Sequence, residues 1–221
     1  METLTATDKY LDLFEQKRKE ISKGDPQFMK ELREEAIASF RQSGFPVRKE
    51  ERYKYTHLEP VFDEELNFDF HPRDIRFDDS ELFRCDVPLL DAHVLTVLNG
   101  FFHHPGGPAL SELDNGIIYG SLKEAIHTHP GLVEKYLGKN AQTDDEPFVA
   151  LNTAFSQDGI FLYVPKGVQM EKPIQIIHLL LSDKNQMVQH RNLFVLEKNA
   201  AAQVIVCDHT LSLLTCFSPI R

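Results

Sequence analysis

Apolar residues recur with helical spacing at the start of the chain. Tyr10, Leu13, Phe14, Lys17 and Ile21 share one face, which predicts an amphipathic helix over 8–23 ended by Gly24. Asp25 is a good N-cap and Pro26 suits a first helical position, so a second helix is expected with Phe28, Met29, Leu32, Ala36 and Phe40 as its stripe. Gly44 and Pro46 stop it, and the pair reads as an αα-hairpin. Residues 45–90 carry Pro60, Pro72 and Pro88 and read as extended segments and loops with short strands that the pattern does not place. A strand follows over 92–102, broken by the hairpin signal Asn99-Gly100, and Asn115-Gly116 repeats that signal before Ile117-Ile118-Tyr119. Ser121 and Glu124 form a capping box for a helix through His127, and Pro130 opens a short helix that Gly138 closes.

Residues 139–147 are polar and acidic, and the domain boundary is placed there, giving regions 1–143 and 144–221. Beyond Pro147 the apolar runs become short and β-rich: Ile160–Val164, Ile174–Leu181, Leu193–Leu196, Gln203–Cys207 and Leu211–Phe217. Turn residues such as Asp158-Gly159 and Pro165-Lys166-Gly167 separate them, and no helical signal intervenes. Many short strands without helices suit a sandwich or a parallel β-helix, and periodicity does not choose between them. The run Leu211–Arg221 stops without a polar cap, so the chain is expected to be truncated in mid-fold. Its unpaired strand edges are expected to drive self-association through that open end.

Charge narrows the function classes. Twenty-four bases against 34 acids give a net charge of −10, and residues 55–90 hold ten acids and three bases. A chain this acidic gains little from counterion release on phosphates, so nucleic acid is not an expected partner. The longest apolar stretch is too short to span a bilayer, and no basic-then-apolar leader opens the chain, so neither a membrane nor secretion is expected. Three widely spaced cysteines, Cys85, Cys207 and Cys216, argue against a disulfide framework and for a reducing, cytoplasmic location.

Motif chemistry is sparse. Gly-x-x-x-x-Gly-Lys, Gly-x-Gly-x-x-Gly, His-Glu-x-x-His and Cys-x-x-Cys do not occur. His103, His104, His127 and His129 form the densest imidazole group and could ligate zinc or iron, but a Pro-Gly-rich loop and a helix end favour solvated side chains. Cys207 and His209 would share a face of a strand, yet two local ligands fall short of a site and a small buried cysteine is the plainer reading. Lys166 reads as a turn residue pointing outward and Arg191 as half of a structural ion pair. No catalytic, cofactor-binding or metal residue is therefore assigned, and no tightly bound cofactor is expected.

A resemblance enters through residues 148–193. Phe148-Val149-Ala150-Leu151-Asn152-Thr153-Ala154-Phe155 precedes Asp158-Gly159-Ile160-Phe161-Leu162-Tyr163-Val164-Pro165-Lys166-Gly167-Val168, then Glu171-Lys172-Pro173-Ile174 and His190-Arg191-Asn192-Leu193. This order resembles the SufD subunits of the Suf iron–sulfur cluster assembly scaffold, and more loosely the paralogous SufB subunits. Upstream, Tyr53-Lys54-Tyr55-Thr56-His57-Leu58 is similar to that family's aromatic-Lys-Tyr-Thr signature, with Tyr53 where Trp is usual, and Leu98-Asn99-Gly100-Phe101 also fits.

The resemblance implies a mainly β architecture. An N-terminal helical and mixed α/β region would be followed by the first coils of a right-handed parallel β-helix, with Asn152 and Asn192 at turns. It also implies a non-catalytic scaffold that works with a SufB-like subunit and a SufC-like ABC ATPase, the family complex handling an iron–sulfur cluster and using ATP through that ATPase. The later coils and the helical domain that docks the ATPase lie beyond residue 221 in such proteins. No functional residue is carried over, since Cys207 and His209 are not the family's proposed site. The alternatives are a small metal-binding cupin-like protein built on the histidines and a β-helix or sandwich enzyme acting on carbohydrate.

Overall fold

A computed structural model describes residues 5–47, 50–56, 58–72, 90–141, 143–144, 146–210 and 216–217. Helix α1 (Ala6–Ile21) opens with a reciprocal capping box, in which Thr5 Oγ1 accepts from the Asp8 amide and the Asp8 carboxylate accepts from the Thr5 amide. Helix α2 (Gln27–Ser43) starts one residue later than its pattern suggests. Pro26 is the N-cap, and the Asp25 carboxylate instead lies 2.7 Å from Arg33 Nε, both side chains buried. Arg18 with Glu34, and Arg41 with Glu15 at 3.3 Å, bridge the two helices as the expected helical hairpin requires. After the short α3 (Glu59–Asp63) and β1 (Asn67–Phe68), the described chain resumes with β2 (His93–Leu98), β3 (Phe101–His103), β4 (Leu110–Glu112) and β5 (Ile118–Ser121). Helices α4 (Leu122–Thr128), α5 (Pro130–Tyr136) and α6 (Pro147–Phe155) follow, then β6 (Ile160–Val164), β7 (Ile174–Leu180), β8 (Gln186–Met187), β9 (Leu193–Leu196), β10 (Val204–Thr210) and β11 (Cys216–Phe217).

The strands form a four-stranded sheet ordered β10-β7-β2-β3, another ordered β4-β5-β6-β9, and a three-stranded sheet ordered β1-β8-β11. The architecture implied by the resemblance, a mainly β chain whose helical and mixed N-terminal region gives way from residue 144 to the first coils of a right-handed parallel β-helix, is corrected by this arrangement. Both four-stranded sheets are mixed: β2–β3, β4–β5 and β5–β6 are antiparallel pairs, and the described residues include six helices. The physical reason lies in the turns. Asn99 and Gly100 both adopt positive φ, +47° and +89°, which folds β3 straight back on β2, whereas a parallel neighbour needs a long crossover. Parallel pairing is confined to longer connections, with Val204 opposite Ile174, Leu193 opposite Phe161 and Cys216 opposite Gln186.

Residues 147–155 supply the second correction. Read as the opening of a β-rich region with Asn152 in a turn, they form α6, with Pro147 in its first turn and Asn152 buried mid-helix. Ala150, Leu151, Ala154 and Phe155 are buried among Phe14, Phe40 and Phe62, so the segment is apolar nearly all round and shows no amphipathic period to read. Phe14 meets Phe155 edge-on at 5.6 Å between centroids. Each such fully buried phenyl contributes about 1.5–3 kcal/mol over exposure.

Strand β6 explains how the layers share one core. Ile160, Leu162 and Val164 face Leu95, Val97, Ile174 and Ile176 of the neighbouring sheet, while Phe161 faces Met29, Leu122 and Val133 of the helices. Buried on both faces, it reads as a continuous apolar run. The expected self-association run Leu211–Phe217 lies outside the described residues apart from β11, as does Cys85. Among the described residues no helix is long and apolar enough to cross a membrane.

Two buried ionic clusters fix the layers. Arg33 Nη1 donates to the carbonyls of Ala154 at 3.0 Å and Ser156 at 2.7 Å, closing the C-terminus of α6 while Nε pairs with Asp25. Asp158 Oδ1 accepts from Ser121 Oγ at 2.8 Å, the Lys123 amide at 3.0 Å and the Gly159 amide at 2.8 Å, and Oδ2 accepts from the Phe102 amide at 3.0 Å. Burial pushes this carboxyl's pKa up against the pull of those four donors. At Gly159 (φ +154°) a Cβ would stand 1.9 Å from the Arg191 carbonyl oxygen, so only glycine allows the β6 and β9 leads to close on Asp158. Asp158→Ala strands several donors and should lower unfolding free energy by about 3 kcal/mol or more. Asp158→Asn, which turns one acceptor into a donor, should cost about 2 kcal/mol. Arg33→Met should cost about 3–5 kcal/mol by leaving Asp25 buried alone. Urea midpoints with an unchanged slope check all three, and a loss below about 1 kcal/mol for Asp158→Ala or Arg33→Met would contradict these anchoring roles.

Candidate functional site

Strand β7 is apolar except for Gln175 and His178. Alternation puts His178 on the same face as Ile174 and Ile176, so the fold directs an imidazole into what is otherwise core. The parallel register places Asp208 of β10 directly opposite, and Asp208 Oδ1 stands 2.9 Å from His178 Nδ1. The segment after β8 brings His190 against the other side, its ring centroid 4.2 Å from that of His178 and tilted by 39°. Both rings are buried, and among the described residues Nε2 of each has no hydrogen-bond partner.

Helix α6 completes the group. Asn152 Nδ2 donates to Gln189 Oε1 at 3.0 Å and to the His190 carbonyl at 2.9 Å, which holds the segment 189–192 against the helix. Arg191 Nη1 donates to Thr153 Oγ1 and, at 3.4 Å, to Asn152 Oδ1. Among the described residues no carboxylate lies within ion-pair distance of Arg191, where an ion pair is the expectation. Next to it, Asn192 Oδ1 accepts from the Ile160 amide at 2.8 Å and ties β9 to β6.

These residues wall a cavity of about 460 Å³ whose other sides are Val149, Phe194 and Val206. The His178–His190 pair also bounds a smaller space of about 140 Å³ that reaches Val97, Val188 and Thr210. Burial, and then the neighbouring His178, holds the His190 pKa down at about 4 against the opposing pull of Asp208. Burial likewise pulls the Arg191 guanidinium below its ordinary value.

The residues singled out from the sequence stand elsewhere. His103 and His104 line a groove beside β2, with His104 Nδ1 3.0 Å from the Gly107 carbonyl and its ring stacked on Phe102. His129 sits by Thr128 at the α4–α5 junction, and His127 is in the last turn of α4 beside Gly24. The four do not converge. Among the described residues no group of three or more His, Cys, Asp or Glu is arranged to hold a metal ion. Cys207 and His209 stand opposite Ile177 and Leu179 on the face of β10 turned away from Asp208, and Cys207 Sγ is 4.0 Å from Gln175 Nε2. Lys166 is exposed in the turn after β6.

His178 and His190 carry no motif spacing. The one legible signal is a lone imidazole inside the otherwise apolar Ile176-Ile177-His178-Leu179-Leu180. The unfolded chain protonates His190 near pH 6.5 and the folded chain only near pH 4. The folded state therefore keeps its full stability above that window and loses it as pH falls through it. Between about pH 7 and pH 5 the protein should lose about 1–2 kcal/mol more than a His190→Gln variant, measured as unfolding free energy in urea. Parallel pH profiles for the two would refute a neutral buried His190.

Comparison with a known family covers most of the chain but stops short of the cavity's later residues. A family model described as the SufBD protein N-terminal region matches residues 4–176. An iron–sulfur cluster assembly SufBD family protein of Arabidopsis thaliana (ABCI9) is 37% identical over 86 residues, covering 39% of this chain and 18% of the relative. A second Arabidopsis relative (ABCI8), described as chloroplastic, is 43% identical over 60 residues, 27% of this chain and 11% of its own length. The iron–sulfur cluster assembly protein SufD of Bacillus subtilis is 37% identical over 78 residues, 35% of this chain and 18% of its own length. The matched stretches thus span under a fifth of each of these relatives.

Proposed function

This chain belongs to the SufBD family of iron–sulfur cluster assembly proteins, and from that premise we propose that it acts as a non-catalytic scaffold subunit beside a SufB-like subunit and a SufC-like ABC ATPase. The observation that carries the reading is the family match over residues 4–176. The sheet edges support it. Among the described residues strands β9 and β10 stand at the edges of their sheets and expose Phe194, Leu196 and Val206. Such an edge is a template for another strand, from a SufB-like partner or a second copy.

In this reading the cluster is cargo, and ATP turnover belongs to the ATPase subunit. The chain holds no cofactor tightly and performs no chemistry of its own. We place it in the cytoplasm, where its cysteines would stay reduced.

Co-expression with a SufB-like and a SufC-like protein, followed by affinity capture and native mass spectrometry, tests the proposal. The expected result is stoichiometric recovery of the SufB-like subunit. Recovery should fall about tenfold or more for Leu196→Lys/Val206→Lys, which puts charge on the exposed apolar edge without disturbing a packed side chain. No recovery with the unaltered chain would overturn the scaffold reading, and full recovery with the variant would remove the edge from it.

A further inference from the structure

We propose that the cavity beneath β9 and β10 is a binding site for a small organic anion with an apolar body, its charged head held by Arg191 and His190. The inference stands on the cavity alone and does not depend on the scaffold reading.

Charge decides the class of ligand. The Arg191 guanidinium is partly withdrawn from water, and among the described residues its hydrogen bonds go to the neutral groups of Thr153 and Asn152. A buried cation without a counter-charge is costly, and a carboxylate or phosphate arriving in the cavity would supply one. The same cation disfavours a metal ion between the two imidazoles, even though paired histidines backed by a carboxylate otherwise resemble half of a metal site.

The imidazoles add direction. His178 and His190 are 5% and 4% exposed, and among the described residues Nε2 of each lacks a partner. Buried polar atoms are rarely left so, and here both residues border the same cavity. Asp208 accepts from Nδ1–H of His178, and when that ring carries no second proton its Nε2 lone pair is an acceptor. That atom suits a hydroxyl beside the anionic head, and His190 Nε2–H can donate to the head itself. Phe194 and Val206 form the apolar wall opposite, and about 460 Å³ is within the range of small-molecule sites.

The test uses the intact chain with three probes: mandelate, a hydroxy carboxylate with a phenyl body; mandelamide, its uncharged counterpart; and inorganic phosphate. Calorimetry gives affinity, and the ring resonances of His178 and His190 report the location. Mandelate should saturate and move both rings, with mandelamide at least about tenfold weaker, the worth of one charge-assisted contact. Arg191→Met should lose mandelate binding by a similar factor. Phosphate binding as tightly as mandelate, with the same ring shifts, would support the anion site and assign it to a phosphate source. Saturation by neither anion up to about 10 mM overturns the proposal. So does equal binding of mandelamide, which would make the cavity an apolar seat for a protein segment. The mandelate–mandelamide comparison needs no variant, so it stands even if Arg191→Met does not fold.

Discussion

The fold hangs on the burial of one carboxylate. Asp158 has no cationic partner among its contacts; it is held by a hydroxyl and three amides that belong to different parts of the chain. One amide opens the return arm of the β2–β3 hairpin, one lies in the first turn of α4, and one begins the approach to β6. A carboxylate so far from water is tolerated only when its lone pairs are occupied, so these segments cannot separate one at a time. The backbone adds its own restraint, because the Asp158 carbonyl accepts the Arg191 amide at 3.0 Å and Gly159 lets the two strands approach.

Arg33 performs the complementary task in the helical layer. Its side chain crosses from α2 to the C-terminal carbonyls of α6, and the negative end of that helix favours the charge. With α6 fixed, Asn152 and Thr153 are presented at set positions to the 189–192 segment. The imidazole pair and Arg191 therefore sit on a platform built from two layers. The lower wall comes from β7, the upper from the segment leading into β9, and the flank from α6.

What the sequence discloses follows physical lines. The α1–α2 hairpin and the Asn99-Gly100 turn are legible because each rests on local chemistry: a stripe at period 3.6, a cap, or a residue pair tolerant of positive φ. The α6 segment is not, because a helix buried on nearly every side loses its period and becomes indistinguishable from a run of buried strand. The mixed sheets are hidden for a related reason. Pairing direction depends on where distant strands dock, and the family resemblance points to parallel coils from residue 144 onward. At the site, Arg191 is visible as a residue but reads as a salt-bridge partner, since its true neighbours Thr153 and Asn152 lie some forty positions away. His178 and His190 become a pair only after folding. The four histidines that look densest in the sequence are spread over separate surfaces.

The long parallel pairing of β10 with β7 gives its register a meaning of its own. Asp208 meets His178 because β10 docks on β7 in one parallel register, the same register that sets Val204 against Ile174. Side chains alternate across a strand, so sliding β10 along β7 by a single residue would turn it over as a whole. Cys207 or His209 would then face the cavity and Asp208 would leave it. The register of β10 on β7 thus selects which of its two faces the cavity meets, and a slip of one position would exchange the chemistry there without a single substitution.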